Sequence, residues 1–568
     1  MLPSVIDPTW CSARLLLWIT LSCACATARA GSFTAAVLKA ACDRGDATSC
    51  NNLGVLHDTG DGVPRDDALA AKLFEKSCAG GNGDGCTGLG AMYARGKGVA
   101  KDDAKAAKLY EQGCSAGAPH GCALFGLRLS KGLGVPLDKA RAVLLLQKAC
   151  DGGDLGGCSN LGYAYDHGEG VAVDRKRARA LFQKACDGQD PTGCYNLGNA
   201  YEEGIAGPRD LQRARSLFGL ACDSGVGEAC HHLGLAHFNG TGVPKDEARA
   251  LTLYERACEA GFAGGCTSAG AMLSRGQGGP RNAAEAARLE ARGCDGGDQG
   301  ACVNLGNVLA RGDGVAADVP RAILLLQNAC EGGRADGCVV LGLVYSRADR
   351  PAGDAAKAVA LFQKACDARN AEGCYDLALL LEDAKGAAAN PRRALELYQV
   401  ACDAGYGDAC NNLGLRYGRG TGVAKDPKRA FALFEKGCAA GSSISCNTLA
   451  VAFTQGEGVP VDLVRAKQLH QQACESGYAI ACVNLGALYQ NGRGVPVDLA
   501  RALSLYQKAC DVEDRDGCYN VAFMYGQGIG VPTDMARAMD LLIKSCNLGL
   551  QKACVTMARL KADPEPKR

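Results

Sequence analysis

The sequence predicts an all-α fold, a solenoid of about thirty short helices stacked as helical hairpins, on three observations. Cysteines occur in pairs eight positions apart, and the pairs return every 36 residues without slippage. Between the pairs, apolar residues keep helical spacing twice in each period. A Gly-x-Gly-Val stretch followed by an acid separates the two helical segments, as in Gly240-Thr241-Gly242-Val243-Pro244-Lys245-Asp246. One hairpin cannot bury its own apolar stripe, so a fixed period of this size implies stacking of neighbours.

The first helix of a unit is marked by Cys302, Leu305, Gly306 and Leu309, at i, i+3, i+4 and i+7. The second is marked in the same way by Ala250, Leu253, Tyr254 and Ala257. Each helix therefore carries one apolar stripe. Glycine ends the first helix, proline stiffens the loop, and the loop acid is placed to cap the second helix. After the second helix, glycine stands three positions beyond the leading cysteine in most units, for example Gly153, Gly261 and Gly477, as a helix C-terminal cap requires. Gln189, Arg369 and Glu513 depart from this pattern.

The paired cysteines are Cys42 and Cys50, Cys78 and Cys86, Cys114 and Cys122, Cys150 and Cys158, Cys186 and Cys194, Cys222 and Cys230, Cys258 and Cys266, Cys294 and Cys302, Cys330 and Cys338, Cys366 and Cys374, Cys402 and Cys410, Cys438 and Cys446, Cys474 and Cys482, Cys510 and Cys518, and Cys546 and Cys554. Zinc sites bring ligands in closer groups, and only 7 histidines occur in the chain, so disulfides are the reading. Each pair spans the turn from one second helix to the next first helix, which places one staple at every repeat junction.

At 568 residues the chain would ordinarily divide into several domains, but the period runs on without a linker or a charge run. With 62 basic and 61 acidic residues, neither a nucleic-acid binder nor a strongly basic membrane-surface protein is favoured. Residues 1–30 read as a signal peptide: Arg14, the apolar run Leu15 to Leu21, and a small-x-small site at Ala28-Arg29-Ala30. That run is too short to span a bilayer as a permanent helix. Cleavage there removes Cys11, Cys23 and Cys25 and leaves only the paired cysteines. Lipidation at Cys23 or Cys25 is the alternative, although Thr20-Leu21-Ser22-Cys23 is a poor lipobox. Residues 31–49 then form a capping half-repeat, 50–553 the tandem array, and 554–568 a closing helix with a polar tail.

The 36-residue hairpin resembles the Sel1-like repeat, with Asn-Leu-Gly opening the first helix, Gly-x-Gly-Val in the loop and Arg-Ala-x-x-Leu-Tyr in the second helix. With the C-x7-C staple it is more similar to the Helicobacter cysteine-rich proteins of that class. The resemblance covers Phe33 to Leu560, and it is related in its hairpin logic to the tetratricopeptide repeat, whose period is 34. Two units are degenerate in their loops, at Ser346 to Pro351 and at Ala384 to Asn390. The resemblance implies a superhelix whose concave face binds protein or extended peptide. It also implies, through the cysteine-rich relatives, penicillin binding or β-lactamase activity as an alternative.

Within the residues themselves, the candidate binding ladder is the asparagine two positions after the second cysteine: Asn52, Asn160, Asn196, Asn304, Asn412, Asn484 and Asn520. An amide that donates and accepts could hold a peptide backbone or a terminal carboxylate, or it could satisfy turn groups of its own unit. Tyr195, His231, Tyr375 and Tyr519 vary between units and are the candidates for specificity. His231, His232 and His237 cluster in one unit, but the first two open a helix and point different ways, so packing outranks a metal site. No Ser-x-x-Lys, His-x-His-x-Asp or His-Glu-x-x-His motif occurs. The expectation is an exported, non-catalytic adaptor, secreted or periplasmic, with no cofactor, no metal, no nucleic-acid partner and no stable membrane insertion. A cytosolic signalling adaptor is the further alternative, and it requires free thiols.

Overall fold

The computed structural model describes residues 35–347, 352–383 and 389–562. The proposed leader with Cys11, Cys23 and Cys25, the start of the capping half-repeat at Phe33 and Thr34, most of the two degenerate loops and the polar tail from 563 lie outside these residues. Among the described residues the chain is all helical, from a helix over 35–43 to Gln551–Ala562, and no strand occurs.

A repeat is well represented by its fourth member. The first helix, Leu155–His167, starts under the Asp154 cap and stops at Gly168, which is left-handed at φ 72°. The loop then reaches Asp174, whose carboxylate accepts from the Arg177 N–H and caps the second helix, Arg175–Asp187. The loop acid thus performs the predicted capping, as Asp66, Asp246, Asp426 and Asp534 do elsewhere. Asn282 and Asn390 supply the same oxygen in two other repeats.

The turn from one second helix to the next first helix is tighter than a simple glycine stop. Gly153 N–H reaches the Cys150 carbonyl at 3.2 Å and Asp154 N–H reaches that of Ala149 at 2.9 Å, which closes a Schellman-type turn. Gly153 is left-handed at φ 92°. In the three departing units Gln189, Arg369 and Glu513 take the same conformation, at φ 68°, 62° and 61°. The backbone of the turn is therefore kept without glycine, at a local cost of about 1 kcal/mol each.

All thirty array cysteines are disulfide-bonded. The turn brings Cys150 and Cys158 to 4.5 Å between Cα atoms, inside the range a disulfide spans, and both side chains are buried. Cys42–Cys50, Cys222–Cys230, Cys402–Cys410 and Cys546–Cys554 repeat the pairing.

The small residues explain how two helices approach. A Cβ on Gly162 would lie 2.6 Å from the Phe182 ring, and one on Gly198 equally close to Phe218. Each first-helix glycine thus receives the large side chain that the second helix presents twenty positions later. Where that side chain is polar the core changes character: Glu290 and His470 occupy the ring position and are still buried. The second-helix alanines, such as Ala178, Ala214 and Ala250, are almost fully buried. Arg177 lies over the Tyr165 ring at 4.5 Å and Arg429 over Tyr417 at 4.2 Å, so the Arg of the Arg-Ala motif closes the hairpin from outside.

Between repeats the second helices are tied by a contact the sequence reading did not anticipate. Lys184 Nζ donates to the Cys150 carbonyl at 3.1 Å, Lys76 to that of Cys42 at 2.7 Å, and Lys544 to that of Cys510 at 2.9 Å. A cation placed on the last carbonyls of the preceding helix is favoured by its dipole. The second glycine of the loop also faces the preceding repeat: a Cβ on Gly98 would lie 2.1 Å from the Asp67 carbonyl oxygen.

The described chain forms two compact units, one ending at Ala301 and the other beginning at Cys302. In the first, the largest core cluster runs from Val143 to Ala257 around Phe182 and Phe218. In the second, clusters surround Phe362, Leu377 and Tyr398, then Phe434 and Phe453, then Tyr506. At the degenerate loop after Tyr345, the first helix ends in a right-handed Ser346 instead of a left-handed glycine. The following helix, Ala352–Asp367, has 16 residues instead of 13, and Asp354 lies inside it rather than capping it.

Candidate binding face on the first helices

Because Cys158, Leu161, Gly162 and Tyr165 point inward, helix Leu155–His167 presents Gly156, Asn160, Tyr163 and His167 outward. The same four rows recur in every repeat. The row holding Tyr163 is apolar from Val55 to Phe523 in every repeat except those of Asn199 and Asn307. Val55, Tyr163, Leu235 and Phe523 are 43%, 44%, 44% and 45% exposed, although the core of each hairpin is complete without them. The sequence reading passed over this row and chose the asparagines beside it. Its signal was present all the same, as an apolar position outside the i, i+3, i+4, i+7 set of the buried stripe.

The asparagine row is half-buried, except for exposed Asn52, and its hydrogen bonds are not uniform. Asn160 donates to the Gly156 carbonyl of its own helix at 2.8 Å. Asn412 donates to the Tyr375 hydroxyl at 3.4 Å, and Asn484 to Asn447 Oδ1 at 2.9 Å, each one repeat back. Asn52 accepts from Asn51, while Asn304 and Asn520 keep their places in the row. Asn196 lines a cavity of about 260 Å³ with Tyr163, His167, Tyr195 and Glu203. Two further cavities open on the same helices of the first unit. One of about 390 Å³ is bordered by Leu127, Asn160 and Tyr163, and one of about 330 Å³ by Val55, His120 and Leu124.

Tyr195, His231, Tyr375 and Tyr519 all engage a neighbouring repeat. The Tyr195 hydroxyl meets His232 Nε2 at 3.4 Å, and His231 Nε2 meets the Ser268 hydroxyl at 3.1 Å. Tyr375 packs on Tyr406 with ring centroids 4.9 Å apart, and Lys552 lies over Tyr519. His231 and His232 thus turn to opposite neighbours, as expected, while His237 is buried in the last turn of the helix. Among the described residues no group of histidine, cysteine and acid side chains is arranged to hold a metal ion.

Charge on this face is organised by short networks across repeat seams. Glu202 pairs with Arg215 at 2.6 Å and lies 3.4 Å from His232 Nδ1. The His232 hydrogen bond, joined by Arg215, outweighs burial and holds this carboxyl down at about 2. His120 bonds Asp154 of the next repeat at 2.9 Å, and that hydrogen bond raises the imidazole above its usual value. His470, by contrast, is pushed down to about 4 by burial, with Asn447 Oδ1 3.0 Å from its Nδ1. Asp376 stands in the asparagine row, and burial, with Glu372 one turn away, pushes it up to about 7.

The Sel1 repeat family matches the chain fourteen times, from 47–82, 83–117 and 119–154 through to 515–550. The chain belongs to the Sel1 repeat family. Among solved structures it is similar to a protective antigen present in uropathogenic Escherichia coli strains, at 25% identity over 88% of this chain and 98% of that one, with a TM-score of 0.49. It is also similar to a Sel1 repeat protein from Oxalobacter formigenes, at 26% identity over 52% of this chain and 86% of that one, with a TM-score of 0.38. Cysteine rich protein B of Helicobacter pylori matches at 30% identity over 23% of this chain and 95% of that one, with a TM-score of 0.20. A comparison with curated proteins finds no match. Among the described residues no helix is long and apolar enough to cross a membrane.

Proposed function

We propose that this Sel1 repeat protein is an exported, non-catalytic scaffold that binds a protein or an extended peptide along the outward rows of its first helices. The observation that carries the reading is the apolar row through Val55, Tyr163 and Leu235, exposed beside half-buried amides although each hairpin core is already filled. An extended chain laid across successive helices would place side chains on that row and its backbone against the amides of Asn160 and Asn196. Disulfide-dense arrays persist in oxidising compartments, which supports a secreted or periplasmic setting.

The test is affinity capture from native envelope or culture fluid, using the oxidised full chain and a variant carrying Tyr163→Ser and Leu235→Ser. The reading expects partner capture to fall with these changes and to survive Leu144→Ser, a 72% exposed leucine on a second helix. Capture indifferent to the row would contradict it. Nitrocefin turnover by protein purified to homogeneity would contradict the non-catalytic part.

A further inference from the structure

Between Ala335 and Arg419 in the second unit, three consecutive first helices combine an acid at the helix start with an outward leucine, a pairing that elsewhere occurs singly, at Glu228 and Leu235. Their outward apolar row is Leu343, Leu379 and Leu415, the first two 37% and 36% exposed. Their outermost row at the start of the helices is acidic throughout, with Asp336, which pairs with Arg334, then Glu372, then Asp408, which accepts from the Ser442 hydroxyl. Between the two rows stands Asp376, where neighbouring Asn412 and all six other first helices of this unit, Asn304, Asn484 and Asn520 among them, offer an uncharged side chain.

Asp376 is an unusual occupant of that position. Its Oδ2 is buried and makes no hydrogen bond among the described residues. Among the described residues the charge that acts on it is that of Glu372 on its own helix, and no basic side chain offsets it. The Tyr375 and Tyr406 rings lie beside it, 4.9 Å apart, and both hydroxyls feel the carboxylates of Asp376 and Asp408. Glu382, further along the helix, is already engaged by Arg416 and the Tyr398 hydroxyl, so Arg416 is not available to Asp376. Asp376 and Glu372, grouped with aromatic faces and without a basic partner among the described residues, suit a guanidinium or ammonium group. Three leucines in line suit apolar side chains on either side of it.

We infer that this face receives a basic, leucine-rich extended segment of a partner protein, with an arginine or lysine of that segment seated on Asp376 beside the packed Tyr375 and Tyr406 rings. The inference rests on the scaffold reading and gives it a place and a chemistry. The partner cation supplies the charge that the fold withholds from Asp376, while Leu343, Leu379 and Leu415 cover the segment's apolar side chains.

The probe is a fluorescein-labelled peptide, acetyl-Leu-Arg-Leu-Arg-Leu-Arg-Leu-amide, with a twin in which glutamate replaces each arginine, titrated against the oxidised full chain by anisotropy. The arginine peptide is expected to bind, and the glutamate twin to bind at least roughly tenfold more weakly. Asp376→Asn is expected to weaken the arginine peptide by roughly tenfold. That variant installs the amide already present at Asn412 and Asn484, so its folding is secure. Leu379→Ser is expected to weaken both the peptide and its dependence on Asp376. No binding of the arginine peptide, equal binding of the twin, or full affinity in Asp376→Asn would overturn the inference. Partner capture that still depends on Tyr163 and Leu235 would then leave the scaffold reading standing; loss of that dependence as well would remove both.

Discussion

Asp376→Asn also makes a stability prediction that needs no partner. In the folded chain burial and Glu372 raise this carboxyl from 3.8 to about 7. A raised folded value means the fold prefers the protonated acid. The contribution is fully present below the unfolded value and is lost as pH rises through about 7. At full weight the difference corresponds to about 4 kcal/mol. The side chain retains contact with water, so about 2 kcal/mol is the expected penalty at pH 8. Asparagine removes the penalty and keeps the shape. Hydrogen exchange of peptides spanning Ala371–Asp383, corrected for the intrinsic pH dependence of exchange, should show the variant more protected than the parent at pH 8 and nearly equal to it at pH 4. Equal protection at both pH values, or a less protected variant at pH 8, would refute the view that this acid is held against its charge.

Other changes probe other parts of the array. Glu202→Gln leaves Arg215 without its carboxylate; because the folded value of Glu202 is depressed to about 2, the loss of about 1 kcal/mol should appear above pH 5 and vanish as pH falls through 2. Thermal melts at pH 7 and pH 2.5 would check this. Replacing Cys186 and Cys194 together by alanine removes a staple worth at most about 2.5 kcal/mol on the chain-entropy model. Hydrogen exchange should rise in Arg175–Asp187 and Pro191–Glu203 and remain unchanged several repeats away. Gly98→Ala should cost more than about 2 kcal/mol, because a positive φ combines with a clash against the Asp67 carbonyl. Gly81→Ala, equally left-handed but facing open space, should cost about 1 kcal/mol, and chemical denaturation of the two variants side by side tests the difference.

The fold was legible because every level of the sequence repeats the same instruction. The Cys-x7-Cys interval sets the junction, the glycine of the loop ends one helix and the acid begins the next, and each recurs often enough to separate pattern from accident. Less legible was the tolerance of the turn, where Gln189, Arg369 and Glu513 accept a left-handed backbone that the motif assigns to glycine. The binding face was harder still. Asn160, Asn412 and Asn484 share one register position, yet one bonds its own helix and two bond the repeat before, because the matching position one repeat back holds an acceptor in Tyr375 and Asn447 but Ala123 in the case of Asn160. Asp376 occupies the register position of these asparagines; its significance depends on Tyr375, Tyr406 and Glu372 being gathered around it, which spacing alone does not disclose.

The central claim is that the first helices, and not the second, meet the partner. Hydrogen exchange of the oxidised chain alone and with its captured partner measures it most directly. The account predicts slowed exchange in first helices such as Leu155–His167 and Gly227–Asn239, with second helices such as Lys139–Asp151 unchanged. Protection confined to the second helices, or to the Gly-x-Gly-Val loops, would contradict it.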